Sequence, residues 1–214
     1  MMYICKPNGR FMNDSKEHII ITSCKLFLQK NYKEVTMKEI VDKTGLSKGA
    51  FYHYFESKEQ LFLEVLDYFF TNVMVHAYEN YSRESFYNFY HDYAKEVKIY
   101  CQTYLDKFRG EESESVITMN YFTLAFDAIK LFPEFKEKMI IGLKEEMKVW
   151  VDVIKTARSK GEIKSSMTDE QIARTFIHLG DGAAMHSIIQ GSSIYDMVTP
   201  FLELWDKLYE QIKV

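Results

Sequence analysis

Lys48, Gly49, Tyr52 and His53 stand within one short run, Ser47-Lys-Gly-Ala-Phe-Tyr-His-Tyr-Phe55, whose residue types suit contact with a nucleic acid. Lysine donates to guanine O6 and N7 or to a phosphate. A tyrosine hydroxyl and an imidazole suit phosphate oxygens, and glycine lets a helix backbone approach a groove closely. The spacing sorts these residues onto one face. With Ser47 capping a short helix, Leu46, Phe51 and Phe55 turn inward while Lys48, Gly49, Tyr52 and His53 turn outward. Lys58, at the start of the following helix, would set its charge beside a phosphate drawn to the free amides of that helix end.

The elements that must hold this face are legible in the periodicity and the caps. Apolar residues Ile19, Ile20, Cys24, Phe27 and Leu28 recur at helical spacing between Asp14 and Lys30. Asn31, just past the end, is placed where a left-handed residue is often needed. Thr36-Met-Lys-Glu39 reads as a capping box, with the threonine oxygen taking an orphan amide and the glutamate reaching back. It opens a short helix that ends near Thr44, and Gly45 then allows a sharp turn. Two short helices joined by a glycine-containing turn make a helix-turn-helix. Ser57-Lys-Glu-Gln60 reads as a second capping box, opening a longer helix through Leu61, Val65, Leu66 and Phe69.

Beyond it the chain reads as helix after helix, near Glu84–Phe108, Ser115–Phe132, Pro133–Lys160, Thr168–Gln190 and Ile194–Ile212. Pro133 suits a first helical turn, while Pro200 either starts or kinks the last helix. With 9 glycines and 3 prolines in 214 residues, breakers are too scarce for a many-stranded sheet. The expected fold is all-α: an N-terminal three-helix helix-turn-helix domain followed by a larger C-terminal helical domain, for which ligand-binding and dimerisation roles are argued below. The expected boundaries are a flexible arm over 1–13, the helix-turn-helix domain over 14–60, and the helical body over 61–214.

Charge divides along the same line. Residues 1–60 hold 10 Lys and Arg against 7 Asp and Glu, and the rest hold 17 against 24. A mildly basic head on an acidic body suits contact with a polyanion at one end only. Three cysteines, Cys5, Cys24 and Cys101, are odd in number and share no metal-ligand spacing, so a disulfide framework is not expected. Without an apolar run of about 18 residues or a signal-peptide core, a cytoplasmic location is expected.

From Ile19 to Leu66 the sequence resembles the DNA-binding pattern of the tetracycline-repressor (TetR) family of transcriptional regulators. The likeness rests on Gly45-Leu-Ser-Lys-Gly-Ala-Phe-Tyr-His-Tyr-Phe55 and on Ser57-Lys58-Glu59, and covers roughly the first third of the chain. The resemblance implies DNA contacts at Thr36, Lys48, Gly49, Tyr52, His53 and Lys58. Ala50 matches a position that reads bases in some members, although a methyl can touch only a thymine methyl. A homodimer on a palindromic operator, released by a small-molecule inducer, is what the family implies as function.

The body carries further expectations. Its many aromatic residues exceed what a core of this size needs, and tyrosine hydroxyls want partners. Phe86, Tyr90, Tyr93, Tyr104, Tyr121, Phe122 and Phe126 are candidates to line a pocket for an apolar or aromatic effector. Two stripes, Ile172, Phe176, Leu179 and Ala183 with Phe201, Leu204, Trp205 and Leu208, are candidates for a dimer interface, which would pair as a four-helix bundle. Gly180, Gly182, Ala183 and Ala184 would allow close helix approach there. His178 and His186, eight residues apart, suit a core or interface better than a metal. No catalytic triad, phosphate loop or carboxylate pair stands out, so neither an enzyme nor a cofactor is expected. A ligand-independent or nucleoid-associated DNA-binding dimer stays open as an alternative, as does a helical enzyme with a vestigial DNA-binding head.

Overall fold

The computed structural model describes residues 14–71, 78–108, 114–192 and 194–214, and the arm expected over 1–13 lies outside them. Among the described residues the chain is helical: α1 (Asp14–Gln29), α2 (Met37–Thr44), α3 (Lys48–Tyr52), α4 (Lys58–Leu66), α5 (Phe86–Phe108), α6 (Glu114–Leu131), α7 (Pro133–Ser159), α8 (Asp169–Ile189) and α9 (Val198–Ile212). Backbone contacts gather into two units, one within 1–73 and 120–138, the other within 74–119 and 139–214.

The first unit is built on α1. Its inward residues Ile19, Ile20, Cys24 and Phe27 are buried, as the spacing predicts; Ile40 and Val41 of α2 and Leu61, Phe62, Val65 and Leu66 of α4 are buried too, and both helices pack on α1. Phe62 sets its ring edge-on to Phe27 at 4.8 Å. Helix α4, which the sequence places past the end of the head, is thus apolar toward α1 and packs with it. Gly45 ends α2 at φ 66, the left-handed turn that a side chain would resist.

The second unit gathers around Trp150. Phe86, Phe89 and Tyr90 of α5, Trp150 and Ile154 of α7, Ile172 and Phe176 of α8, and Phe201 and Trp205 of α9 form a buried aromatic cluster. Trp205 fits because residue 180 is glycine. A Cβ there would stand 2.9 Å from Trp205 Cζ2. The Trp205 indole N–H donates to the Phe176 carbonyl at 2.7 Å, tying α9 to α8.

Caps close the helix ends, but not all in the predicted form. Thr36 accepts from the Glu39 amide at 3.2 Å, while the Glu39 carboxylate takes the Lys30 ammonium at 2.5 Å. That lysine holds the Glu39 carboxyl below its ordinary range. Gln60 likewise reaches past Ser57 to accept from the Glu56 amide at 3.0 Å. The reciprocal box forms at Thr168 and Gln171, where each side chain accepts from the other's amide. Pro200 falls in the first turn of α9, where its missing amide disturbs no hydrogen bond. Glu162 caps α5 from a distance, accepting from the Phe86 and Tyr87 amides at 2.8 and 3.1 Å and from the Tyr209 hydroxyl at 3.0 Å.

Candidate nucleic-acid interface

Helix α3 begins at Lys48 because Ser47 takes the Ala50 amide on its hydroxyl at 3.3 Å. Only one of its faces is apolar. Phe51 is completely buried, as is Phe55 just beyond the helix. Lys48, Gly49 and His53 are exposed, and Tyr52 keeps 45% of its surface in solvent. A Cβ built on Gly49 meets nothing within 4 Å, so no contact within the chain requires glycine there. The outward surface therefore offers an ammonium, a phenol, an imidazole and a bare stretch of backbone side by side. Such a set can donate to phosphates and base edges, and a helix N-terminus adds free amides.

The end of α2, just before the turn into α3, is fixed by two hydrogen bonds. The Thr44 hydroxyl donates to the Val41 carbonyl at 2.8 Å. His18 Nε2 lies 3.1 Å from the Thr44 carbonyl, fastening the end of α2 to α1. Thr36 is exposed at the start of α2, with its oxygen engaged as the cap.

The sequence profile described as "Bacterial regulatory proteins, tetR family" matches residues 19–65, the same α1-to-α4 segment that presents this face. Over these residues the chain carries a TetR-type DNA-binding segment. Among curated relatives, the HTH-type transcriptional regulator YerO of Bacillus subtilis is 48% identical over 58 residues, 27% of this chain and 20% of that protein. The HTH-type transcriptional repressor NemR of Escherichia coli is 33% identical over 60 residues, 28% of this chain and 30% of that protein. These matches span less than a third of either relative's length. A solved TetR transcriptional regulator from Chloroflexus aurantiacus superposes with a TM-score of 0.65 at 20% identity, covering 94% of this chain and 97% of that one. This last likeness shows a shared all-helical fold that extends beyond the matched N-terminal segment.

Lys58, expected beside a phosphate, has its ammonium engaged within the chain. Its ammonium donates to the carbonyls of Tyr32 and Val35 at 2.8 and 2.9 Å and lies 4.4 Å from the Tyr32 ring centre. Partial burial lowers its pKa from the ordinary lysine value. A phosphate would have to share that cation with two backbone oxygens. Asn31 also acts differently from a plain left-handed cap, its Oδ1 accepting from the Lys33 and Glu34 amides at 3.0 and 3.1 Å.

Among the described residues, the seven aromatics proposed for an effector pocket are spread over both units, most of them packed into the chain's own cores. Phe86 and Tyr90 are completely buried in the second unit's core, and Tyr93 packs on Trp150 and Trp205 at 5.4 and 5.6 Å. Their hydroxyls are engaged, Tyr90 with Asp206 and Tyr93 with Glu146. Tyr104 is buried beside Phe108 on α5 itself. Tyr121 belongs to the first unit and donates to the Phe69 carbonyl at 3.3 Å. Phe122 is partly buried, and Phe126 is 59% exposed. Aromatic side chains at helical spacing satisfied one another, which periodicity cannot distinguish from lining a cavity. Two surface clefts lie elsewhere, about 270 Å³ near Asp67 and Lys138 and about 450 Å³ near His91 and Asp206. Neither is lined by any of the seven.

The dimer stripes are likewise half consumed within the chain. Ile172, Phe176, Phe201 and Trp205 are buried in its own core. Gly180 serves Trp205 and so is not free to seat a second helix. Leu179, Ala183 and Leu208 are partly buried, and Leu204 remains 46% exposed. The outer face of α8 carries residues the periodicity did not single out: Met185 and the 69% exposed Ile189. His178 and His186 are exposed on α8, which removes the core reading for both. Among the described residues, no helix is long and apolar enough to cross a membrane, and no three His, Cys, Asp or Glu side chains gather as a metal site.

Proposed function

We propose that this protein is a homodimeric, sequence-specific DNA-binding transcriptional repressor that a small-molecule effector releases from its operator. The observation that carries the reading is the two-faced α3, with Phe51 sealed inward while Lys48, Gly49, Tyr52 and His53 stand in solvent. Exposing a tyrosine of this size beside a lysine and a glycine has no folding rationale, whereas a major groove accepts all three. Thr36 completes the set as an exposed helix cap. One α3 spans only a few base pairs, so two heads on a palindrome supply specific affinity. The second copy would pair through the outer faces of α8 and α9, including Met185, Ile189 and Leu204, with Leu179, Ala183 and Leu208 at the margins. The effector acts only by preferring the head spacing that no longer fits adjacent grooves.

Fluorescence anisotropy on the intergenic DNA beside the gene, at matched salt, tests the core of this reading. Wild type binds tightly and loses affinity as salt rises, and the Lys48→Ala/Tyr52→Ala variant loses the binding. Failure of the folded dimer to select any sequence from a random pool would refute it. One observation favours a second reading, a ligand-independent DNA-binding dimer: the body's aromatics fill their own core. Unchanged operator affinity across a library of apolar and aromatic compounds would select that reading.

A further inference from the structure

The surroundings of Lys58 lead to a function distinct from contact with DNA. Segment 31–35 joins α1 to the cap of α2, and it is folded on itself. The Val35 amide donates back to the Asn31 carbonyl at 3.3 Å, and the Asn31 side chain holds the next amides. Two carbonyls of this segment, Tyr32 and Val35, converge on the Lys58 ammonium from α4. Beneath the ammonium, the Tyr32 ring is packed at 4.5 Å from Phe62 and 5.2 Å from Phe132. Val35 is completely buried, and the next residue, Thr36, caps α2. The cation is thus the tie between the start of α4 and the start of the helix that carries α3.

We propose that Lys58 is a positioning residue for DNA binding, one that fastens segment 31–35 and the α2 cap and makes no phosphate contact. The inference rests on the DNA-binding reading above. Removing the ammonium leaves two part-buried carbonyls without a donor and frees the entry to α2. The operator-facing surface then loses its fixed pose while its own side chains stay intact.

Salt dependence separates the two roles. Each lysine–phosphate contact contributes about 0.9 to the slope of log affinity against log salt, or about 1.8 for both protomers. Operator binding is measured by anisotropy over a salt series for wild type, Lys58→Met, Lys58→Gln and, as the contact control, Lys48→Met. Positioning predicts that Lys58→Met binds at least about tenfold more weakly, the ratio for losing even one of its two charge-assisted hydrogen bonds, with the wild-type slope. Lys58→Gln, still able to donate to a carbonyl, recovers part of the affinity, again with the wild-type slope. Measuring well below each variant's Tm makes the affinity a readout that a role in stability alone would leave unmoved. In the absence of DNA, Lys58→Met also speeds hydrogen exchange at the amides of Lys33 to Ile40.

A slope lowered by about 1.8 in both Lys58 variants would show a phosphate contact and overturn the inference. Undiminished affinity in Lys58→Met, or unchanged exchange across Lys33 to Ile40, would overturn it as well. Absence of binding by wild type would defeat the regulator reading, and the exchange measurement would still judge the tie itself.

Discussion

Gly180 and Gly182 lie two residues apart on α8, yet alanine should act oppositely at the two positions. At Gly180 a methyl would stand 2.9 Å from Trp205 Cζ2, and the indole cannot retreat easily because its N–H is held by the Phe176 carbonyl at 2.7 Å. At Gly182 the same methyl meets nothing within 4 Å. Replacing a mid-helix glycine by alanine contributes about 1 kcal/mol of stability through backbone entropy. Forcing extra volume into a packed core costs about 1–3 kcal/mol. Gly182→Ala is therefore expected to gain about 1 kcal/mol, and Gly180→Ala to be neutral or to lose up to about 2 kcal/mol. The gap between the variants, about 1–3 kcal/mol, isolates the Trp205 contact. Urea unfolding followed by tryptophan fluorescence measures it, with Trp205 itself a reporter. Equal or greater stability of Gly180→Ala relative to Gly182→Ala would refute this account of the α8–α9 contact. A stabilised chain whose dimer dissociates more readily in the Gly182→Ala variant would instead locate Gly182 in the interface between copies.

Gly49→Ala should leave the free protein as stable as wild type or slightly more so, since nothing surrounds the new methyl, yet weaken operator binding by about tenfold if the α3 backbone approaches the groove. Unchanged affinity would show that the backbone keeps its distance. Burial raises the Cys101 thiol to about 12 and the Cys24 thiol well above the ordinary range. Neither should alkylate with iodoacetamide at pH 8 in the folded protein, and both should once urea is added; mass spectrometry of the labelled peptides decides. The same raised Cys101 value means that the thiol is protonated in the folded chain where the unfolded chain ionises. Its contribution to stability is complete below pH 9 and is lost as pH rises from 9 toward 12, visible as a falling urea midpoint. Glu162→Ala removes the acceptor for the Phe86 and Tyr87 amides and for the Tyr209 hydroxyl. It should cost about 1–3 kcal/mol, the range for buried donors left unsatisfied, and a Tm within a degree of wild type would contradict the capping role.

The local elements were legible because their causes are local. Phe51 and Phe55 against Lys48, Tyr52 and His53 is a matter of spacing around one helical turn, and Ser47, Thr36 and Gly45 mark ends whose orphan amides or left-handed φ must be met within four residues. Family likeness over residues 19–65 adds to that reading and covers the same segment. Where the partner lies far along the chain, the sequence was mute. Lys58 finds the Tyr32 and Val35 carbonyls 26 and 23 residues away, and Glu162 finds the Phe86 amide 76 residues away. Glu39 chose Lys30 over its own helix start because an opposite charge outweighs a neutral amide once the turn brings it within reach. Periodicity did identify Phe86, Tyr90, Phe176 and Trp205 as residues with a helical face to bury. It could not say against what, since an aromatic ring gains equally from a core neighbour, a ligand or a second chain. That choice depends on how helices far apart in sequence pack around Trp150, and only the tertiary structure makes it.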